Sequence, residues 1–106
     1  MSDEHQRAMK CADEALAHRR AALVLFNKAL DHESAAARYY ADRPDYEPTR
    51  AVLYRSAATL ACDCGKLDSA ALLAHEGLAD QPPPAIADEL RLVLARIRWL
   101  REEPKP

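Results

Sequence analysis

Histidine and cysteine are the side chains here best able to act as bases, nucleophiles or metal ligands, and their spacing decides whether they can act together. His5, His18, His32 and His75 fall in four separate stretches, none at metal-ligand spacing with another. There is no His-Glu-x-x-His pair and no glycine-rich phosphate loop. No arginine is followed by histidine at the Arg-x4–6-His spacing of small all-α RNases. Cys62 and Cys64 are two apart, which on a helix points them to different sides. With Cys11 they make an odd set without a disulfide framework, expected to be free thiols in a reducing compartment. These residues predict no catalytic centre, no metal site and no cofactor.

The elements that position such side chains follow from composition. The chain has 106 residues, enough for one small domain, and 49 % of them are apolar. Alanine and leucine dominate, glycine occurs twice and aromatics make up 6 %. Those residues favour helices and leave little material for strands, so the expected class is all-α. The formal net charge is −2 and the basic residues are spread along the chain, unlike the concentrated basic face of a nucleic-acid binder. No apolar run nears the roughly 20 residues needed to cross a bilayer. MSDEHQRAMK is not an apolar signal segment. Neither a nucleic-acid nor a membrane partner is expected, and the cytoplasm is the expected compartment.

The pattern predicts about five helices. The first pair spans 3–41, with a turn at His18-Arg19-Arg20 inferred from a change of phase between Met9, Ala12, Leu16 and Ala22, Phe26, Ala29, Leu30. The competing reading, one helix from Asp3 to Ala41, would be about 60 Å long, too long for a compact domain. A Pro-flanked linker occupies 42–48, with Tyr39, Tyr40, Tyr46 and Tyr54 expected to pack around it. A second pair spans 48–80. Its first helix buries Val52, Leu53, Ala57, Leu60 and Ala61 and stops at Gly65. Its second buries Leu67, Ala70, Ala71, Ala74 and Leu78 and stops before Pro82-Pro83-Pro84. A last helix over 85–102 aligns Ile86, Leu90, Val93, Ile97 and Leu100 on one side. Leu92, Ala95 and Trp99 lie nearly opposite, a second apolar face suited to a homodimer.

The second pair resembles the tetratricopeptide repeat, which places small residues where two antiparallel helices approach. Ala58 takes the small position of the first helix, Gly65 and Leu67 match the turn, Ala70, Ala74 and Gly77 match the second helix, and Pro82 the terminal proline. Ala22, Phe26 and Ala29 repeat that second-helix signature 48 residues earlier. The family's first-helix tryptophan and tyrosine are replaced by Tyr54 and Ala61, and the first copy lacks its turn glycine. The resemblance implies antiparallel pairs in a right-handed array, closed by a C-terminal cap helix. It also implies a concave groove holding a peptide or protein. Carried over residue by residue, that groove displays Arg7, Cys11 and Glu14 beside Arg55, Thr59, Cys62 and Asp63. Arg7 and Arg55 would grip a partner's carboxylates. The expected function is a non-enzymatic adaptor, the alternative an oligomerisation module pairing through Leu92, Ala95 and Trp99.

Overall fold

From Asp3 to Tyr39 the backbone never leaves the α-helix. This helix, α1 (Asp3–Tyr39), opens the computed structural model, which describes residues 2–102. The turn expected at His18-Arg19-Arg20 does not form, and the expected pair over 3–41 is one helix of 37 residues. Ending a helix orphans its last carbonyls, and glycine or a nearby donor usually satisfies them. Residues 3–39 contain neither glycine nor proline. At its other end Ser2 caps the helix: its Oγ accepts from the His5 N–H at 3.2 Å, with Asp3 and Glu4 in the first turn.

The objection to so long a helix assumed a compact molecule. The principal extents are 64 × 31 × 20 Å and the radius of gyration is 18.2 Å. A compact chain of this length would measure about 13 Å. Every residue from Asp3 to Phe26 is exposed, so most of α1 projects from the body as an arm. Burial on α1 is confined to Leu30 and Ala37, with half-buried neighbours such as Ala29, Glu33 and Ser34.

The body is built from α2 (Thr49–Asp63), α3 (Leu67–Leu78) and α4 (Pro84–Glu102), reached through a single 3₁₀ turn at Pro44–Tyr46. Four α-helices are therefore present among the described residues, not five. Gly65, at φ +74°, ends α2 as expected. The N–H groups of Gly65 and Lys66 return to the carbonyls of Cys62 and Ala61 at 3.0 and 2.9 Å, closing the turn. The end of α3 comes before the prolines, with Ala79 extended and Asp80 at φ 61°.

Ion pairs set the directions of the helices. Arg55–Glu89 and Asp63–Arg96 advance in the same order, so α2 and α4 run parallel. Asp68–Arg101 joins the start of α3 to the end of α4, so those two are antiparallel. The α4 helix packs on both α2 and α3, while α1 packs on α2. The core is small: Ala51, Ala57, Ala58, Ala61, Ala70 and Ala74 are all fully buried, filled out by Tyr54, Leu73, Leu90 and Ile97. The inner face of α2 is rotated from expectation, with Tyr54 and Ala58 buried and Val52, Leu53 and Leu60 half-buried.

Three helices meet most tightly at Gly77. A Cβ there would lie 2.7 Å from Tyr54 Cβ and 3.0 Å from Leu90 Cδ1. Gly77 lies in the last turn of α3, where replacing a helical glycine by alanine would stabilise by at most about 1 kcal/mol. Here overpacking, at roughly 1–3 kcal/mol, opposes it, and the nearest atom is held by its own backbone. Gly77→Ala should therefore lower the thermal midpoint; a raised midpoint would mean that the helices can separate freely at this point.

Candidate interaction surfaces

The richest cluster of polar side chains lies where the linker, α2 and α3 converge. Arg50, in the first turn of α2, is 1 % exposed. Its guanidinium donates to the carbonyls of Glu76, Gly77 and Ala79 at 3.2, 3.0 and 2.9 Å, and to Glu47 Oε2 at 3.3 Å. These carbonyls end α3, where Ala79 turns away and Pro82, Pro83 and Pro84 have no N–H to offer. Arginine supplies the missing donors, and its charge suits a helix C-terminus. Nε lies 3.2 Å from Glu47 Oε1, in ion-pair contact but off the hydrogen-bond line. Glu47 also accepts the Ala51 N–H at 3.0 Å, standing in for the cap that Pro48 lacks.

Beneath this guanidinium sits Tyr54, its ring 5.6 Å from Arg50 Cζ. Burial and the adjoining Glu76 carboxylate push its phenol up to about 12, against the opposing pull of Arg38 and Arg50. A phenol held so firmly protonated is a poor base. Glu76 is itself bound by Arg38 of α1 through two contacts of 3.2 and 3.3 Å. The cluster ties three helices and a linker together. Arg50 is not among the residues singled out from sequence, yet it shares helical phase with buried Tyr54, Ala57, Ala58 and Ala61.

The residues expected to line a groove are not brought together. Arg7, Cys11 and Glu14 stand on the exposed arm, with about 28 Å of helix between Cys11 and Leu30. No antiparallel helix returns them to the side of α2. Arg55 and Asp63 are instead paired with Glu89 and Arg96 of α4, Cys62 is buried, and Thr59 is exposed. Burial pushes the Cys62 thiol up, with Arg96 pulling it down and Asp63 adding to the rise. Cys64 is half-buried and Cys11 exposed, and all three are free. The tyrosines divide. Tyr40 stacks between Tyr39 and Tyr46 at 5.0 and 5.1 Å, Arg43 covers Tyr39, and Tyr54 lies apart in the core.

Two apolar surfaces are uncovered. On α4, Leu92, Ala95 and Trp99 are exposed, the first and last at 68 % and 63 %. On the arm, Met9, Leu16, Leu23 and Phe26 are exposed, with Val24 and Leu25 exposed beside them. Met9, Leu16 and Leu23 are spaced by seven residues, and the same spacing continues to the buried Leu30 and Ala37. The stripe therefore prolongs the face by which α1 packs on the body. That spacing was the missed signal: it crosses His18-Arg19-Arg20 without a change of phase. Where α1 and α3 part, a groove of about 330 Å³ is lined by residues including Leu30, Arg38, Lys66 and Leu72. Among the described residues no group of His, Cys, Asp and Glu is gathered as metal ligands would be, and no helix is long and apolar enough to cross a membrane.

Removing Arg50 takes a buried donor from the Glu76, Gly77 and Ala79 carbonyls and from Glu47, of which Glu76 keeps the Ala79 N–H and Glu47 keeps the Ala51 N–H. Arg50→Met should destabilise by about 3 kcal/mol or more. On a domain of this size, that lowers the thermal midpoint by over 10 °C. Tyr54 adds a pH dependence. Its folded pKa of about 12 exceeds the ordinary 10, so the neutral phenol is favoured by folding. That stabilisation is intact below pH 10 and is lost as pH rises from 10 to 12. In denaturant titrations at pH 9 to 12, Tyr54→Phe should lose less stability across that window than the parent; equal losses would refute the shift.

No protein family, curated protein or solved structure matches this chain.

Proposed function

We propose that this chain is a non-enzymatic association module in which α2, α3 and α4 brace a helical arm and offer its apolar stripe to another helix. One observation carries this reading: the stripe that is buried at Leu30 and Ala37 continues uncovered through Leu23, Leu16 and Met9. Contiguous apolar surface of this kind costs about 25 cal/mol per Å² left in water, and on natural proteins it marks contact sites. The spacing suits an amphipathic partner helix, whose anchors recur at the same interval.

The adaptor role expected from the tetratricopeptide-like residues is kept, with its binding surface moved. Support for such an array comes from small residues at the α2–α3 contact, Ala58, Ala70, Ala74 and Gly77, all buried. The parallel α2 and α4 also stack as the first helices of successive repeats would. The groove itself is disfavoured, because α4 holds Arg55 and Asp63 in ion pairs. A second reading is homodimerisation through α4, favoured by the exposure of Leu92 and Trp99 on its outer side.

Three variants separate these surfaces: Leu16→Glu with Leu23→Glu for the arm, Trp99→Glu for α4, and Arg7→Glu with Arg55→Glu for the groove. Each is compared with the parent in light scattering and in affinity capture from the native host, with circular dichroism confirming helix content. The arm pair should be the one that abolishes association. Loss confined to Trp99→Glu would select the α4 reading, and loss confined to the arginine pair would restore the groove.

A further inference from the structure

Resting on the arm as an association surface, we infer that its occupant is the arm of a second copy of this chain, lying antiparallel about a two-fold axis between Leu16 and Arg19. The heptad positions of α1 decide the pairing. Met9, Leu16, Leu23, Leu30 and Ala37 occupy position a, while Ala12, Arg19 and Phe26 occupy position d. The g position is alanine five times running, at 8, 15, 22, 29 and 36. The e position carries opposite charges one heptad apart, Asp13 and Arg20.

A parallel pair is disfavoured by the position of the body. It would place both bodies at the same end of the coil, where Leu30 and Ala37 are already buried against the rest of the chain. It would also stack Arg19 on the partner's Arg19 and set the e charges beside alanines. The antiparallel pair puts the bodies at opposite ends. Met9 then meets the partner's Phe26 and Ala12 meets the partner's Leu23, a large residue against a small one. Asp13 meets the partner's Arg20, and two-fold symmetry makes that contact twice. Leu16 meets the partner's Arg19, whose stem can lie along the seam while its guanidinium leaves over the alanine shoulder at Ala15.

The ends of the coil agree with this register. Met9 to Phe26 spans about 27 Å of helix. Just beyond Phe26, the stripe enters the groove lined by Leu30, Lys66 and Leu72. In the same register the partner's His5 falls level with Leu30, so its acidic first turn, Asp3 and Glu4, arrives at a groove whose charged lining is Asp31, Arg38 and Lys66, two of the three basic. Both the continuity of the buried face and the charge pattern therefore select the same partner.

The test is light scattering of the full chain across a concentration series, with charge variants at exposed positions. The parent should reach twice the 11.8 kDa chain mass and dissociate on dilution. Asp13→Arg sets arginine against Arg20 at both ends of the axis and should weaken the dimer by about tenfold. Adding Arg20→Asp exchanges both charges and should restore parental affinity, a rescue that a parallel pair or an α4 interface cannot give. A larger assembly, an unaffected Asp13→Arg or a failed rescue would overturn the register. A parent that stays monomeric at every concentration would overturn self-pairing. In that event the arm reading survives if Leu16→Glu with Leu23→Glu still abolishes capture of a partner, and falls if it does not.

Discussion

A guanidinium buried to 99 % is tolerated only where its charge and its donors are both answered. Arg50 meets that condition by serving the end of α3, where the Gly77 and Ala79 carbonyls accept its N–H groups and the Glu76 carbonyl shares it with the Ala79 N–H. The dependence is mutual. Without Arg50 the α3 terminus would need water in the core, and without that terminus the guanidinium would be stranded. Glu47 closes the arrangement from the linker and caps α2 in the same contact. At this one point α2, the end of α3 and the linker are joined, and the Glu76 side chain carries the tie on to Arg38 of α1.

Around it, packing works by smallness. The buried surface of α2 and α3 is largely alanine, and Gly77 lets Tyr54 and Leu90 approach where a Cβ could not fit. Helices so close exclude water well but bury little apolar area per residue, and the body therefore remains slender. It has no second layer to cover α1 beyond Leu30. The arm is a consequence of that economy: α1 is long because nothing in 3–39 can stop it, and bare because the body is too small to reach along it.

Under the proposed reading, the question this uncovered helix poses is which helix completes it. The arm's seam has the symmetry to be its own complement, with opposite charges one heptad apart and alanine on a whole flank. The α4 face around Trp99 lacks the continuity with a buried interface that distinguishes the arm.

Local chemistry alone determined the helical class, the caps at Ser2 and Gly65, and the stripe of α4 at Ile86, Leu90 and Ile97. Each rests on residues that act on their own neighbours, through backbone geometry or a periodicity of a few residues. The fate of α1 was also written in the seven-residue spacing from Met9 to Ala37, but the assumption of a compact domain hid it. Tertiary structure decided the rest. Arg55 and Asp63 looked free because their partners, Glu89 and Arg96, lie more than thirty residues away. Arg50 did not stand out because its acceptors are backbone carbonyls, which every residue carries and no sequence pattern announces. Side-chain identity reveals what a residue can do; only the fold reveals which unsatisfied groups it is brought to meet.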